Sequence, residues 1–182
     1  MKRTFVLFLS ILICSSLAFA SLSPRSSFSE EISIAQYNRT WVSPTKSIYT
    51  VESLTANPTV VNELDIMFTK NFGLTVGLGL GYQIPVYDKN RFVTVPKNFN
   101  GTLDSGIVLS FNNFRVALLA ALRSSFETAR NSWISQVGGM CDISYRLDNG
   151  LLFQSGVKYF YSYKVRTFAL SFGIGYGFGG KK

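Results

Sequence analysis

The segment from Phe168 to Phe178 alternates strictly. Phe168, Leu170, Phe172, Ile174, Tyr176 and Phe178 are bulky and apolar, while Ala169, Ser171, Gly173, Gly175 and Gly177 between them are small. Successive side chains of a β-strand point to opposite faces, so this reads as a strand with one greasy face and one nearly bare. The same period of two recurs upstream. Leu74, Val76, Leu78, Leu80, Tyr82, Ile84 and Val86 alternate with Thr75, Gly77, Gly79, Gly81 and Gln83. Leu103, Ile107, Leu109 and Phe111 share a face against Asp104, Gly106, Val108 and Ser110. Phe114, Val116, Leu118 and Leu122 oppose Arg115, Ala117, Leu119, Ala121 and Arg123. Val137, Cys141, Ile143 and Tyr145 oppose Gln136, Gly138, Met140, Asp142 and Ser144, and Phe153, Val157, Tyr159 and Tyr161 oppose Gln154, Gly156, Lys158 and Phe160. In "VVNELDIMF", Asn62, Leu64, Ile66 and Phe68 face away from Val61, Glu63, Asp65 and Met67. An eighth segment, "EISIAQYNRTW", changes facing around Gln36, and its two sides stay unassigned.

These segments are joined by connections of alternating length. Short turns are expected at 69–73, 112–114 and 148–150, the last being Asp-Asn-Gly, a strong hairpin signal. Longer loops are expected at 42–58, 88–100 and 127–132, with a small one near 162–165. The pattern predicts an up-and-down meander with all its tight turns at one end.

From position 60 onward the bulky face of the strands carries no charged residue, whereas the small face carries Glu63, Asp65, Asp104, Arg115, Arg123, Asp142, Arg146 and Lys158. A soluble barrel would bury the bulky face and expose a surface rich in glycine, which weakens strands. The opposite arrangement fits better, with lipid covering the bulky face and the small polar face lining a narrow lumen. A sheet in hydrocarbon must pair every backbone group and therefore close on itself, and a charge on its lipid face costs several kcal/mol. Aromatic residues of the apolar parity gather near both ends: Phe68, Phe111, Phe114, Tyr145, Phe153, Tyr176 and Phe178 near the turns, and Tyr82, Phe126, Tyr159, Tyr161 and Phe168 near the loops. Two such girdles mark the two interfaces of a membrane barrel. The expected fold is an all-β, up-and-down antiparallel eight-stranded transmembrane β-barrel; a soluble barrel binding lipid in its interior is the competing fold-level reading.

Composition sharpens the compartment. Met1-Lys2-Arg3, the apolar run "TFVLFLSILICSSL" and Ala18-Phe19-Ala20 form a secretory signal with its cleavage site, so residues 1–20 are expected to be a signal peptide and 21–182 the barrel domain. Of two cysteines, Cys14 lies in that signal and Cys141 is left alone, so no intramolecular disulfide is expected. The net charge of +8 falls to +6 without Lys2 and Arg3.

The last strand resembles the C-terminal signal of bacterial outer-membrane barrels, in which aromatic and aliphatic residues alternate back from a final Phe. Here those positions are Leu170, Phe172, Ile174, Tyr176 and Phe178, followed by "GGKK", which the usual signal lacks. The plan as a whole, over about residues 30–178, resembles the small eight-stranded group of the OmpA membrane domain, OmpX, OmpW and the opacity-type proteins. That resemblance implies recognition by the barrel-assembly machinery during insertion, residence among outer-membrane lipids of a didermic bacterium, and a monomer. Barrel enzymes of similar size rely on a catalytic histidine as base, and this chain has none, so no enzyme is expected.

No metal or cofactor is expected either, because no Cys/His ligand spacing exists and the acids are dispersed. The basic residues are not clustered with exposed aromatics, so nucleic acid is not an expected partner. Glu63, Asp65, Asp104, Arg123, Asp142 and Lys158 lie several residues from their tight turns and should meet in the middle third of the lumen. Buried charges demand partners. Such a network could plug a barrel too narrow for open flow or, by exchanging partners, gate a thin pore. The loop "DKNRFVTVPKNFN" offers Lys89, Arg91 and Lys97 to an anionic surface ligand. The functional expectation is a structural or surface-interacting outer-membrane protein. A narrow channel for small or apolar solutes, as in the OmpW group, is the alternative.

Overall fold

The computed structural model describes residues 21–40, 48–88, 98–127, 131–162 and 165–178. Among them every regular element is a strand: β1 (Ser21–Thr40), β2 (Ile48–Met67), β3 (Phe72–Asp88), β4 (Asn98–Phe111), β5 (Phe114–Glu127), β6 (Ser132–Arg146), β7 (Leu151–Tyr161) and β8 (Val165–Gly177). Each strand pairs antiparallel with its sequence neighbours, and β1 closes onto β8. The shortest, β7, has 11 residues, enough for a tilted strand to cross a bilayer.

Register fixes the size of the barrel. Facing ladder partners lead from Glu31 through Ser171, Gly156, Asp142, Ala117, Val108, Gly73 and Met67 to Ser21. One circuit therefore returns to β1 displaced from residue 31 to residue 21. For eight strands that stagger corresponds to a tilt of roughly 40° and an interior just wide enough for side chains to fill.

The two faces separate as the alternation requires. Leu78 is 50% exposed, Leu118 52% and Phe172 59%, whereas Val108, Ala117 and Ala169 are completely buried. Large apolar side chains thus cover the outside and small or polar ones fill the inside, the reverse of a water-soluble protein. Aromatic pairs stack at both rims. Phe114 lies 4.8 Å from Tyr145 and Tyr176 lies 5.2 Å from Phe178 at the turn end. At the loop end, Tyr82 lies 4.7 Å from Phe99 and Phe126 lies 5.2 Å from Trp133. Arg166 is an exception to the charge-free bulky face expected from the sequence: it faces outward at the loop rim, its guanidinium 5.4 Å from the Tyr161 ring centroid. There the charge can reach water while its stem lies along apolar surface.

The tight turns are built from residues suited to them. Asn112 and Gly150 take positive φ, 54° and 91°, a region that asparagine and glycine tolerate. In the first turn, Thr69 Oγ1 accepts hydrogen bonds from the N–H groups of Asn71 and Phe72.

Two boundaries differ from the sequence expectation. β1 begins at Ser21, well before "EISIAQYNRTW", and much of the expected loop 42–58 belongs to β2, which starts at Ile48. Asn57 and Pro58 read as turn formers. In the barrel they lie inside β2, where pairing with β3 lapses between Ala56↔Ile84 and Thr59↔Gly81. A residue without an N–H is tolerated in a strand where the ladder is interrupted.

Candidate functional site

The inward faces bring charges from distant strands together in two tiers. Near the tight turns, Arg25 of β1 and Arg115 of β5 meet Glu63 and Asp65 of β2. Arg115 Nε donates to Asp65 Oδ2 at 2.9 Å and its Nη2 to Asp65 Oδ1 at 2.8 Å. The same Nη2 donates to Thr75 Oγ1 at 3.1 Å and lies 3.8 Å from Glu63 Oε1. Arg25 bonds Glu63 through Nη2 and Ser144 Oγ through Nη1 at 3.1 Å, and its Nε lies 3.4 Å from Asp65 Oδ2. Two cations and two anions, all buried, balance there.

Further toward the loops, Glu31 of β1 receives two cations. Arg123 Nη2 of β5 donates to Glu31 Oε2 at 2.6 Å, and Lys158 Nζ of β7 stands 3.4 Å from the same oxygen. The Arg123 guanidinium also stacks over Phe160, 3.9 Å from the ring centroid. Phe160 is completely buried and joins Ala117, Leu119, Ala121 and Met140 in an apolar wall along β5–β7. Above this tier a neutral ladder continues: Ser33 Oγ and Thr55 Oγ1 at 2.6 Å, Asn100 Nδ2 to Asn57 Oδ1 at 2.8 Å, and Gln136 Nε2 to Thr167 Oγ1 at 3.1 Å.

Of the six residues grouped from the sequence, Glu63 and Asp65 sit in the lower tier, and Arg123 and Lys158 in the upper. They do not form one network. Asp104 and Asp142 lie between the tiers and take part in no ion pair among the described residues; one carboxylate oxygen of each is buried without a hydrogen-bond partner. Each leans over a glycine directly across the ladder, Asp104 over Gly77 and Asp142 over Gly156, so close that a Cβ there would collide with the carboxylate. Phe160 uses the space over Gly138 in the same way. Interior glycine thus makes room for the long side chain opposite.

Arg25, Glu31 and Arg115 were missed as partners. Arg115 has the inward parity in the sequence but falls outside the six residues grouped there. The other two lie on β1, whose sides had no assignment, although Ser23, Ser27, Ser29 and Ser33 alternating with Phe28, Ile32 and Ile34 mark them. Leu170, Phe172, Ile174, Tyr176 and Phe178 all face outward, each at least 43% exposed. Lys89, Arg91 and Lys97 lie outside the described residues.

This arrangement can occupy space, resist water and brace opposite walls. Its acids are spread over different heights, and among the described residues no group of three or more His, Cys, Asp or Glu could hold a metal ion.

A closed, tilted, eight-stranded meander with an apolar belt and a polar packed interior is a transmembrane β-barrel, and solved outer-membrane proteins share its fold. The crystal structure of Ail, the attachment invasion locus protein of Yersinia pestis, is similar with a TM-score of 0.51 at 10% identity, over 86% of this chain and 98% of that one. Ail in complex with the heparin analogue sucrose octasulfate is similar with a TM-score of 0.53 at 11% identity, over 87% and 99%. Neisserial surface protein A gives 0.50 at 14% identity, over 87% and 99%. At such identities the likeness is one of fold. No protein-family model matches the chain, and no curated protein matches it by sequence.

Proposed function

We propose that this chain is an integral outer-membrane protein of a didermic bacterium whose barrel is a closed, non-catalytic scaffold holding its loops at the cell surface. Residues 1–20 direct export and are removed. The barrel-assembly machinery reads Leu170, Phe172, Ile174, Tyr176 and Phe178 in the last strand. One observation carries the closed-scaffold reading: the lumen is crossed at two heights by buried ion pairs between non-adjacent strands, Arg115 with Asp65 and Arg123 with Glu31. Charges held this way leave little free cross-section in a barrel of this width. The test is planar-bilayer recording of the purified, refolded barrel. A silent bilayer is expected; steady single-channel openings from the unaltered protein would replace the scaffold with a narrow channel.

A surface role toward an anionic ligand has its own support. The loop between β3 and β4 carries Lys89, Arg91 and Lys97, and the similar fold of Ail has been solved with a sulfated heparin analogue. Cells displaying this barrel are expected to retain on immobilised heparin, and the variant with all three cations changed to Gln to elute at lower salt. Equal elution of the two would remove this reading.

A further inference from the structure

Glu30 and Glu31 are consecutive in a strand that crosses the membrane. Period-two alternation sends consecutive side chains to opposite faces, so one of the two must face lipid. Glu31 takes the interior, with Arg123 and Lys158. Glu30 therefore shares the outward parity of Phe28, Ile32 and Ile34, which are about half exposed. Its ladder neighbours are Pro58 of β2 and Phe172 of β8. Phe172 stands midway between Phe168 of the loop-end girdle and Tyr176 of the turn-end girdle, which sets Glu30 near the middle of the hydrocarbon layer.

Glu30 makes no hydrogen bond or ion pair among the described residues. Between the girdles it is the one charged group facing lipid among the described side chains. Acyl chains offer a carboxyl nothing to bond, so an ionisable residue at this depth points to a partner. The neighbouring outward positions Ser26, Asn62 and Ser155 are polar as well and equally without bonds among the described residues. The β7–β8–β1–β2 side thus carries both donors and an acceptor at bilayer depth. On the β4–β6 side, Ser124 and Ser135 bond each other at 3.2 Å, and Ser105 is an exposed hydroxyl there without a bond among the described residues, but that side has no outward carboxyl or amide between the girdles among the described side chains.

We propose that this side of the barrel is the contact face for a second copy of the chain, with Glu30 at its centre. Donors and an acceptor on one patch are what a two-fold interface requires, because the same surface must complement itself. Among the described side chains no cation faces lipid between the girdles to pair with Glu30 from a second copy, so its partners are the amide and hydroxyls of the opposing β1–β2–β7 surface or the opposing Glu30 itself. The proposal rests on the membrane-spanning reading and departs from the monomer expected from the sequence.

The experiment is cysteine cross-linking in native outer membranes with a lipophilic bismaleimide, in a Cys141→Ser background. Ile32→Cys should give a dimer of this chain, and Leu118→Cys on the far side should give several-fold less. Adding Glu30→Leu to Ile32→Cys should lower the dimer yield several-fold, while Glu30→Gln, which keeps hydrogen-bonding capacity, should retain most of it. Heat-modifiable gel mobility of every variant establishes that each has folded and inserted, so loss of the barrel itself is distinguishable from loss of the contact. Equal yields at positions 32 and 118, an adduct with a different protein, or a yield unmoved by Glu30→Leu would each overturn the proposal.

Discussion

Arg115 holds Asp65 in a two-pronged grip across the barrel interior, with N–O distances of 2.9 and 2.8 Å. The two residues stand on β5 and β2, which share no ladder, so the pair ties opposite walls together. Removing one partner leaves the other charge buried without its bidentate mate, a change that costs about 3–5 kcal/mol. Arg115→Ala is therefore expected to lose about 3 kcal/mol of unfolding free energy, the low end because Arg25 remains near Asp65. Urea titration of the barrel in lipid vesicles, followed by tryptophan fluorescence, measures it. A loss below about 1 kcal/mol, the scale of an exposed pair, would mean that water reaches this tier.

Interior glycines should respond to alanine very differently from lipid-facing ones. A methyl group at position 156 would enter the space of the Asp142 carboxylate, while the nearest atom to a methyl at Gly139 is the Leu119 carbonyl oxygen at 3.8 Å. Overpacking typically costs about 1–3 kcal/mol. Gly156→Ala should fall in that range and Gly139→Ala should be nearly neutral. Adding Asp142→Ala to Gly156→Ala should recover part of the loss, since it removes the colliding group. The same urea titration tests all three.

Seven strands and their inward and outward sides were legible because each carries bulky residues on one parity and small or polar ones on the other. The opening strand was not. The expected segment begins only at Glu31 and changes facing around Gln36, and Ser26 and Glu30 on the lipid side of the real strand further blur its apolar set, so parity does not assign Arg25 and Glu31 to the lumen. The true start of β2 was hidden for a different reason. Asn57 and Pro58 are turn formers by local chemistry, and the unbroken ladder with β1 holds them in a strand while pairing with β3 lapses at both. Outside β1 the identities of the lumen charges are legible from parity, but their pairing is not. It depends on the shear, which places Arg115 beside Asp65 and Arg123 beside Glu31 although none of these strands is a sequence neighbour.

Phe160 should be the most costly apolar side chain to truncate inside the barrel. It is completely buried, backs onto Gly138 and lies beneath the Arg123 guanidinium. Phe→Ala at such positions costs about 3–5 kcal/mol. Phe160→Ala is expected to destabilise the barrel by that amount and to leave Arg123 without its ring contact, while Phe153→Ala, exposed to lipid, should cost clearly less. Side-by-side denaturation of the two variants decides the point.

The inside-out arrangement makes its sharpest prediction for a charge placed on the belt. Leu78 and Leu118 face outward between the aromatic girdles and are about half exposed. In water-surrounded protein an arginine at a half-exposed site would be nearly free of cost. In hydrocarbon the same substitution costs about 2–4 kcal/mol near the midplane and roughly 0–1 kcal/mol at the interfaces. Leu78→Arg and Leu118→Arg should therefore each destabilise the vesicle-inserted barrel by a few kcal/mol, and Phe178→Arg, at the turn-end rim, by much less. The depth dependence separates lipid from water as the surrounding medium, because a barrel in water would show the same small effect at all three positions.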